Sequence, residues 1–457
     1  VHEYDAVVVG SGAAGGWAAK ELCERGLDVL LLEAGRAIDP ATDYPLPAPA
    51  PRRLASRAVA SARGQRVQVR CAAFDARTRR FFVDDRENPY TTPRTSAFNW
   101  FRGRQVGGRL HVWGRVALRL SDAELADWPL QSGELTPYYE EVERFMGVDQ
   151  ARLTAAEERF RAAVERDAAV LPARLAEHGD QPVPATIRAA QATGRLTLRP
   201  DSVVRRLTVD GARRVTGVEL VDRRTRELHE PRARSVVLCA STIETLRILL
   251  NSGLGGSSGR LGRFVMDHVI AGTGGPQPGP AEEPSAADPY DRGPVTGFVI
   301  ARDGYGIQGG IGRDPRSWYM LAHGRMTARA ENRVSLDSRA VDAAGVPAAR
   351  IACAHGPAES AMAAEQLDAL RELAAQAGLR VRMPPSGRPL ERLALRLARR
   401  RLVTASGALL PGSAAHEIGG AGMGRDARES VTDVWGRLWD AENVVVADGA
   451  LFPTGCW

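Results

Sequence analysis

Tyr4-Asp5-Ala6-Val7-Val8-Val9-Gly10-Ser11-Gly12-Ala13-Ala14-Gly15, with the stretch that follows to Glu33, decides the fold. Tyr4–Val9 is an apolar run of strand length, and Gly10-Ser11-Gly12 ends it. A helical pattern runs from Ala14 to about Arg25 and stops at Gly26, after which Asp28–Leu32 reads as a second strand closing at Glu33. Strand, tight turn, helix, strand and acid in this order are the G-x-G-x-x-G dinucleotide-binding fingerprint in its required setting. Gly10 permits the sharp turn, Gly12 lets backbone approach a pyrophosphate, and Gly15 lets the helix pack closely on the sheet. The helix N-terminus offers unpaired N–H groups and partial positive charge to phosphates. Glu33 is placed to accept ribose hydroxyls, and its carboxylate repels a 2′-phosphate, which argues against NADP. Gly10, Gly12, Ala14, Gly15, Glu33 and Ala34 are the first candidate cofactor-binding residues. The motif alone does not choose between NAD and FAD.

Composition narrows the partners. A chain of 457 residues with 44% hydrophobic and 25% charged residues buries a sizeable core and predicts two domains sharing an interface. The net charge of +6 invites a nucleic-acid reading. Lys20 is the sole lysine, however, and arginine is spread along the whole chain, where a nucleic-acid protein concentrates basic residues on one element. Arg392–Arg401 is the nearest thing to a patch, and its leucines suit a solvated amphipathic segment. No apolar run approaches the roughly 20 residues of a membrane span. Cys23, Cys71, Cys239, Cys353 and Cys456 are scattered, with neither metal-ligand nor disulfide spacing, so the expected location is the cytoplasm and no metal site is expected.

A second glycine element lies at the end of Phe81–Trp113, a stretch too rich in Pro, Asn and Gly for regular structure. There Gly107-Gly108 is followed by His111, Trp113 and Gly114, and paired glycines mark close backbone approach to something bulky. This suits a cofactor with a large ring system as well as a diphosphate. Further along, Thr197–Val209 and Val215–Asp222 read as strands joined by a turn at Gly211. Ser235–Ala240 reads as a strand, Thr242–Leu250 as a helix and Asn443–Ala447 as a short strand, while Pro276–Pro294 reads as a loop over the second domain.

In these segments the sequence resembles the glucose–methanol–choline (GMC) oxidoreductases. The resemblance rests on GSGAAGG (10–16) with LLLEAG (30–35), RGRQVGGRLHVWG (102–114), DWPLQSGELTPYYEEVERFMGV (127–148) and TGRLTLRPDSVV (193–204). VVLCASTIETLRILLNS (236–252), GRFVMDH (262–268), ENRVSLD (331–337), HEIGGAGMG (416–424) and NVVVADGALFPTG (443–455) follow in order. It implies an α/β FAD-binding domain, Rossmann-like and discontinuous, over 1–55, 84–130, 195–270 and 405–457. It also implies an α+β substrate domain with an antiparallel sheet over 131–194 and 271–404, leaving 56–83 unassigned. By resemblance Val203 or Val204 meets the adenine, and Arg104, Val106, Gly107, Gly108, His111, Trp113 and Gly114 approach the flavin. Ala240 and Ser241 then meet the diphosphate side, and Asp448 and Gly449 the ribityl–phosphate region.

The resemblance also implies the chemistry, oxidation of a small polar alcohol such as a sugar, polyol or aminoglycoside intermediate. His416, in Ala415-His416-Glu417-Ile418-Gly419-Gly420, stands where the family's catalytic histidine lies, and neutral imidazole is suited to take the hydroxyl proton. Family members that attach FAD covalently do so four positions after the second glycine of the pair. That position is Val112 here, so FAD is expected to be non-covalent. His268 reads as structural, and His2, His178, His229, His323 and His355 have no motif support. Two departures stand out. Gly422 replaces an arginine frequent in relatives, and the sequence stops before the second catalytic residue that relatives carry beyond Pro453-Thr454-Gly455, which is expected to be a missing piece. The alternative is a flavin-binding protein with little or no turnover. The electron acceptor stays open between oxygen, a quinone and another carrier.

Overall fold

The computed structural model describes residues 2–43, 53–71, 73–74, 78–177, 183–211, 214–279, 296–314, 317–382 and 402–455. Arg392–Arg401, His178, Cys456, Trp457 and most of the Pro276–Pro294 loop lie outside the described residues. Glu3–Val9 pairs in parallel with Val29–Leu32 on one side and Arg232–Leu238 on the other. Leu196–Arg199 adds to the first edge and Ala441–Val446 to the second, also in parallel. These five strands are the core of a nine-stranded sheet, joined by the antiparallel pair Ser202–Val209 and Val215–Asp222. Val7, Val8, Leu31 and Val236 are fully buried, as strands covered on both faces require.

Helix Ala13–Glu24 covers one face, and helix Ala185–Ala192 packs beside it, with Ile187 and Ala190 sharing a core with Val8, Ala19 and Cys23. The contact is close because a side chain at Gly16 would overlap Thr186. The sequence division puts 185–192 in the second unit, but its packing is with the first. Helix Thr242–Ser252 lies over the larger core through Ile243, Leu246 and Leu249. The single strand expected over Thr197–Val209 is two strands. Pro200 has no N–H to donate and Asp201 takes a left-handed φ of 55°, so the chain turns from a parallel partner to an antiparallel one.

A second sheet is antiparallel throughout, in the order His268–Pro276, Ser317–Arg325, Tyr305–Asp314, Phe298–Arg302, Leu171–Pro172. One face packs Trp318, Met320, Ala322, Ile307 and Phe298 against Phe160 of helix Ala155–Val164 and Leu370 and Leu373 of helix Pro357–Gln376. The two sheets meet where Met266 and Ile418 exchange backbone hydrogen bonds of 2.9 and 3.0 Å, which seats the His416 segment at the mouth of the second sheet. Cys23, Cys239 and Cys353 are buried free thiols. Among the described residues no helix is long and apolar enough to cross a membrane.

Candidate active site

In a parallel sheet the strand carboxyl ends share one edge, and that edge is where open α/β sheets bind ligands. Gly10 follows Val9, Glu33 follows Leu32, Ser202 closely follows Arg199, Ala240 and Ser241 follow Leu238, and Asp448 closely follows Val446. Five separated stretches of the candidate set therefore arrive at one edge.

The glycines are required there. Gly10 has a φ of 98°, and a Cβ on it would overlap the Cys239 carbonyl; one on Gly15 would overlap the Gly10 carbonyl. Around Gly12 the situation is opposite, because among the described residues nothing outside its own helix and chain neighbours comes within 4 Å of where its Cβ would stand. The second glycine pair is its neighbour: a Cβ on Gly108 would lie 3.3 Å from Gly12 Cα. Ser11, which the sequence reading passed over, fastens these pieces. Its hydroxyl donates to Glu33 Oε2 at 2.5 Å and accepts from the Gly107 N–H at 3.1 Å, while the Gly35 N–H donates to Glu33 Oε1 at 2.8 Å. Burial pushes the Glu33 pKa up, and the Ser11 and Gly35 hydrogen bonds oppose the shift.

The remaining candidates divide. The Ser202 N–H bonds to the Glu33 carbonyl at 2.8 Å, so Val203 and Val204 begin beside the acid, and both are buried. Ser241, at a left-handed φ of 71°, leads into helix Thr242–Ser252, and its Oγ accepts from Arg109 at 3.1 Å. Asp448 accepts from Thr245 Oγ1 at 2.6 Å and from the Ala450 N–H at 3.0 Å, and burial raises its pKa to about 6. A Cβ on Gly449 would crowd Thr242 Oγ1 at 2.8 Å. Ala14 and Ala34 are partly buried along the same edge. Arg104 donates to Asn88 and faces Glu244 at 3.3 Å, and Val106 places its side chain in the core with Val8 and Ala19. His111 Nε2–H donates to the Val106 carbonyl at 2.7 Å, and the ring stacks on Phe81 with centroids 5.0 Å apart. Trp113 is partly buried, and Gly114 has no chain atom within 4 Å of its Cβ position.

His416 is held from three directions. Asp267 accepts N–H groups of its loop, Gly412 at 2.6 Å, Ala414 at 3.4 Å and His416 itself at 3.3 Å. Arg109 donates to the Ala415 carbonyl and pairs with Glu417 at 3.0 Å, so the second glycine segment reaches both neighbours of the histidine. Thr242 Oγ1 donates to the Glu417 carbonyl. Ala415 sits at a left-handed φ of 59°, a strained setting that these contacts fix. Glu417 Oε1 is buried with no hydrogen-bond partner among the described residues, and burial raises the Glu417 pKa against the pull of Arg109. Asp267 is 1% exposed, and burial lifts its pKa to about 6.

Two further histidines share the site. The His268 ring meets His416 edge-to-face at 5.0 Å, and His323 lies 5.8 Å from His268 and 6.5 Å from His416. His416 keeps accessible surface as a residue, while desolvation of its imidazole by the protein around it, with His268, His323 and Arg109 close by, lowers its pKa well below the ordinary value. At neutral pH it is therefore unprotonated, the state a proton acceptor needs. His323 is pushed down to about 3 by burial and by His268. Neither Arg109 nor Asp267 stands out in the sequence, although both lie inside motifs quoted above, and there His268 reads as structural and His323 has no motif support. His323 carried a signal only in the alternation of its strand. Among the described residues no group of three or more His, Cys, Asp or Glu side chains is arranged to hold a metal.

The chain is similar to several known proteins. The family description GMC oxidoreductase matches residues 183–270 and again 328–456. The chain is 26% identical to the 6'''-hydroxyparomomycin C oxidase of Streptomyces lividus, over 98% of its own length and 87% of that protein. It is 25% identical to the 2-methyl-1,2-propanediol dehydrogenase of Mycolicibacterium austroafricanum, over 99% and 91%. The crystal structure of pyridoxine 4-oxidase from Mesorbium loti shares the fold, with a TM-score of 0.67 at 18% identity, over 99% of this chain and 95% of that one.

Proposed function

The chain belongs to the GMC oxidoreductase family, and on that premise we propose that it binds FAD non-covalently and oxidises an alcohol of a sugar-like polyol, with His416 as proton acceptor. The residues fit the cofactor. Space stays open beside Gly12 at the N-terminal end of helix Ala13–Glu24, where a phosphate would meet unpaired N–H groups, and Gly108 packs against Gly12. Glu33 stands at the ribose end with Val203 and Val204 next to it, and Asp448 and Gly449 lie across the strand edge for the ribityl–phosphate part. Engagement of His111 Nε2 by the Val106 carbonyl supports non-covalent binding. When bound, the flavin supplies the acceptor for the carbinol hydride.

The chain's own residues do the rest. Neutral His416 takes the hydroxyl proton as the C–H bond is broken, so one alcohol yields one carbonyl compound, one proton and one hydride. Asp267 and Arg109 hold the His416 backbone, which keeps the ring in one place relative to the Gly107–Gly108 segment. The observation that carries this reading is the Arg109 bridge, which joins the candidate flavin-binding segment to Ala415 and Glu417 on either side of the candidate base. The test is the visible spectrum of purified protein before and after anaerobic addition of sugars, polyols and aminoglycoside precursors. Bands near ~450 nm that bleach with one compound support both cofactor and reaction. Flavin bands that no compound bleaches favour binding without turnover, and a protein that cannot be loaded with FAD removes the proposal.

A further inference from the structure

The second sheet has two unlike faces. Along Ser317–Arg325, Trp318, Met320 and Ala322 enter the apolar core, and Ile307 and Ile311 of Tyr305–Asp314 join them. Side chains alternate across a strand, so the intervening residues Leu321, His323, Gly306, Gln308 and Gly310 share the opposite face. That face is the one His416 adjoins, since the rings of His323 and His416 lie 6.5 Å apart. Glycines at 306 and 310 leave backbone rather than side chain beside the polar residues.

Gln308 fixes the role of His323. Its Nε2 lies 2.9 Å from His323 Nε2, and an amide nitrogen only donates, so the ring accepts there and carries its proton on Nδ1. Both side chains are only partly buried, so the pair keeps surface on the face that His416 adjoins. The 6.5 Å between the rings is too long for a direct hydrogen bond and short enough for two adjacent hydroxyl groups to reach both.

We propose that His323, oriented by Gln308, is a specificity-determining residue that donates from Nδ1 to the hydroxyl next to the one His416 deprotonates, so that the substrate carries vicinal hydroxyls. The assignment rests on the alcohol-oxidation reading, and its test has a binding readout of its own. Flavin-loaded protein is titrated calorimetrically, without oxygen, with methyl glycosides of glucose, galactose and mannose and with their singly deoxygenated analogues. The tightest parent glycoside should lose about tenfold in affinity when one particular hydroxyl is removed, as for one neutral hydrogen bond. His323→Leu should bind that parent about tenfold more weakly and no longer distinguish the deoxy analogue. His323→Asn, which keeps a donor, should restore part of the difference, and Gln308→Leu should blur it. Equal weakening of parent and analogues in His323→Leu overturns the proposal, as does failure of every glycoside to bind. Selective binding loss in a protein whose flavin no compound bleaches would retain the recognition pair and remove the oxidation reading. Bleaching with unchanged discrimination in His323→Leu would do the reverse.

Discussion

Glu33 closes a strand of the first sheet and His416 sits where the two sheets meet, and their supports differ in origin. Glu33 is held by Ser11, 22 residues away, and by Gly35, two residues away. His416 is held by Asp267 at a separation of 149 residues, and Ala415 by Arg109 at 306. The first support forms whenever one strand–helix–strand unit forms. The second exists only when both sheets have assembled and the Met266–Ile418 bridge has closed. The hold on Glu33 is therefore local to one strand–helix–strand unit, and the hold on the His416 loop is a property of the whole fold. The two should be separable by mutation.

The largest effect belongs to the glycine turn, on which both ends depend. Gly15→Val drives a side chain into the Gly10 carbonyl, so stability should fall by about 3 kcal/mol or more and no flavin should be retained. Thermal denaturation and flavin content check this, and a stable yellow protein would break the account of the turn. Next comes Asp267→Asn. Its amide would turn a donor toward backbone N–H groups, so anaerobic flavin reduction should slow about 100-fold with flavin affinity unchanged, since small misplacements of a reacting group cost this much. Joint loss of rate and flavin would show that the ends are not independent. Glu33→Gln is the mirror experiment: flavin affinity should fall about tenfold with little change in the reduction rate of the loaded fraction.

These expectations track what was legible in the sequence. Gly10, Gly12, Gly15 and Glu33 could be read from spacing because their roles are fixed within one contiguous unit. His416 was recognisable from its motif, but not its supports. Asp267 acts through loop amides that no periodicity reveals, and His323 reaches the site through its register opposite Gly306. The break between Leu196–Arg199 and Ser202–Val209 was announced by Pro200, yet the apolar run across it reads as one strand. Helix Ala185–Ala192 joins the first unit through small-residue contacts at Gly16, which sequence order does not disclose.

The smallest predicted effect is on pH dependence of the flavin-free protein. Asp267 and Asp448, with raised pKa values of about 6, contribute stability that is fully present below the unfolded carboxylate value and lost as pH rises through about 6. His323, His355 and His416 have lowered values, so the unfolded chain takes up their protons first and their contribution is lost as pH falls below about 6.5. The terms oppose each other between about pH 4 and 6, and stability there should change less with pH than either set alone would dictate. His323→Leu removes one opposing term and should shift the slope toward falling stability with rising pH, by at most about 1.4 kcal/mol per pH unit. An unchanged slope in thermal melts across that range would contradict the shift assigned to His323.

The most direct test of the central claim is the anaerobic rate of flavin reduction by the best alcohol in His416→Ala, compared with the unaltered protein at equal flavin content. The account predicts a loss of about 1,000-fold, partly restored by added imidazole, with the flavin still bound. A rate within a few-fold of the unaltered protein would contradict it and place the proton acceptor elsewhere.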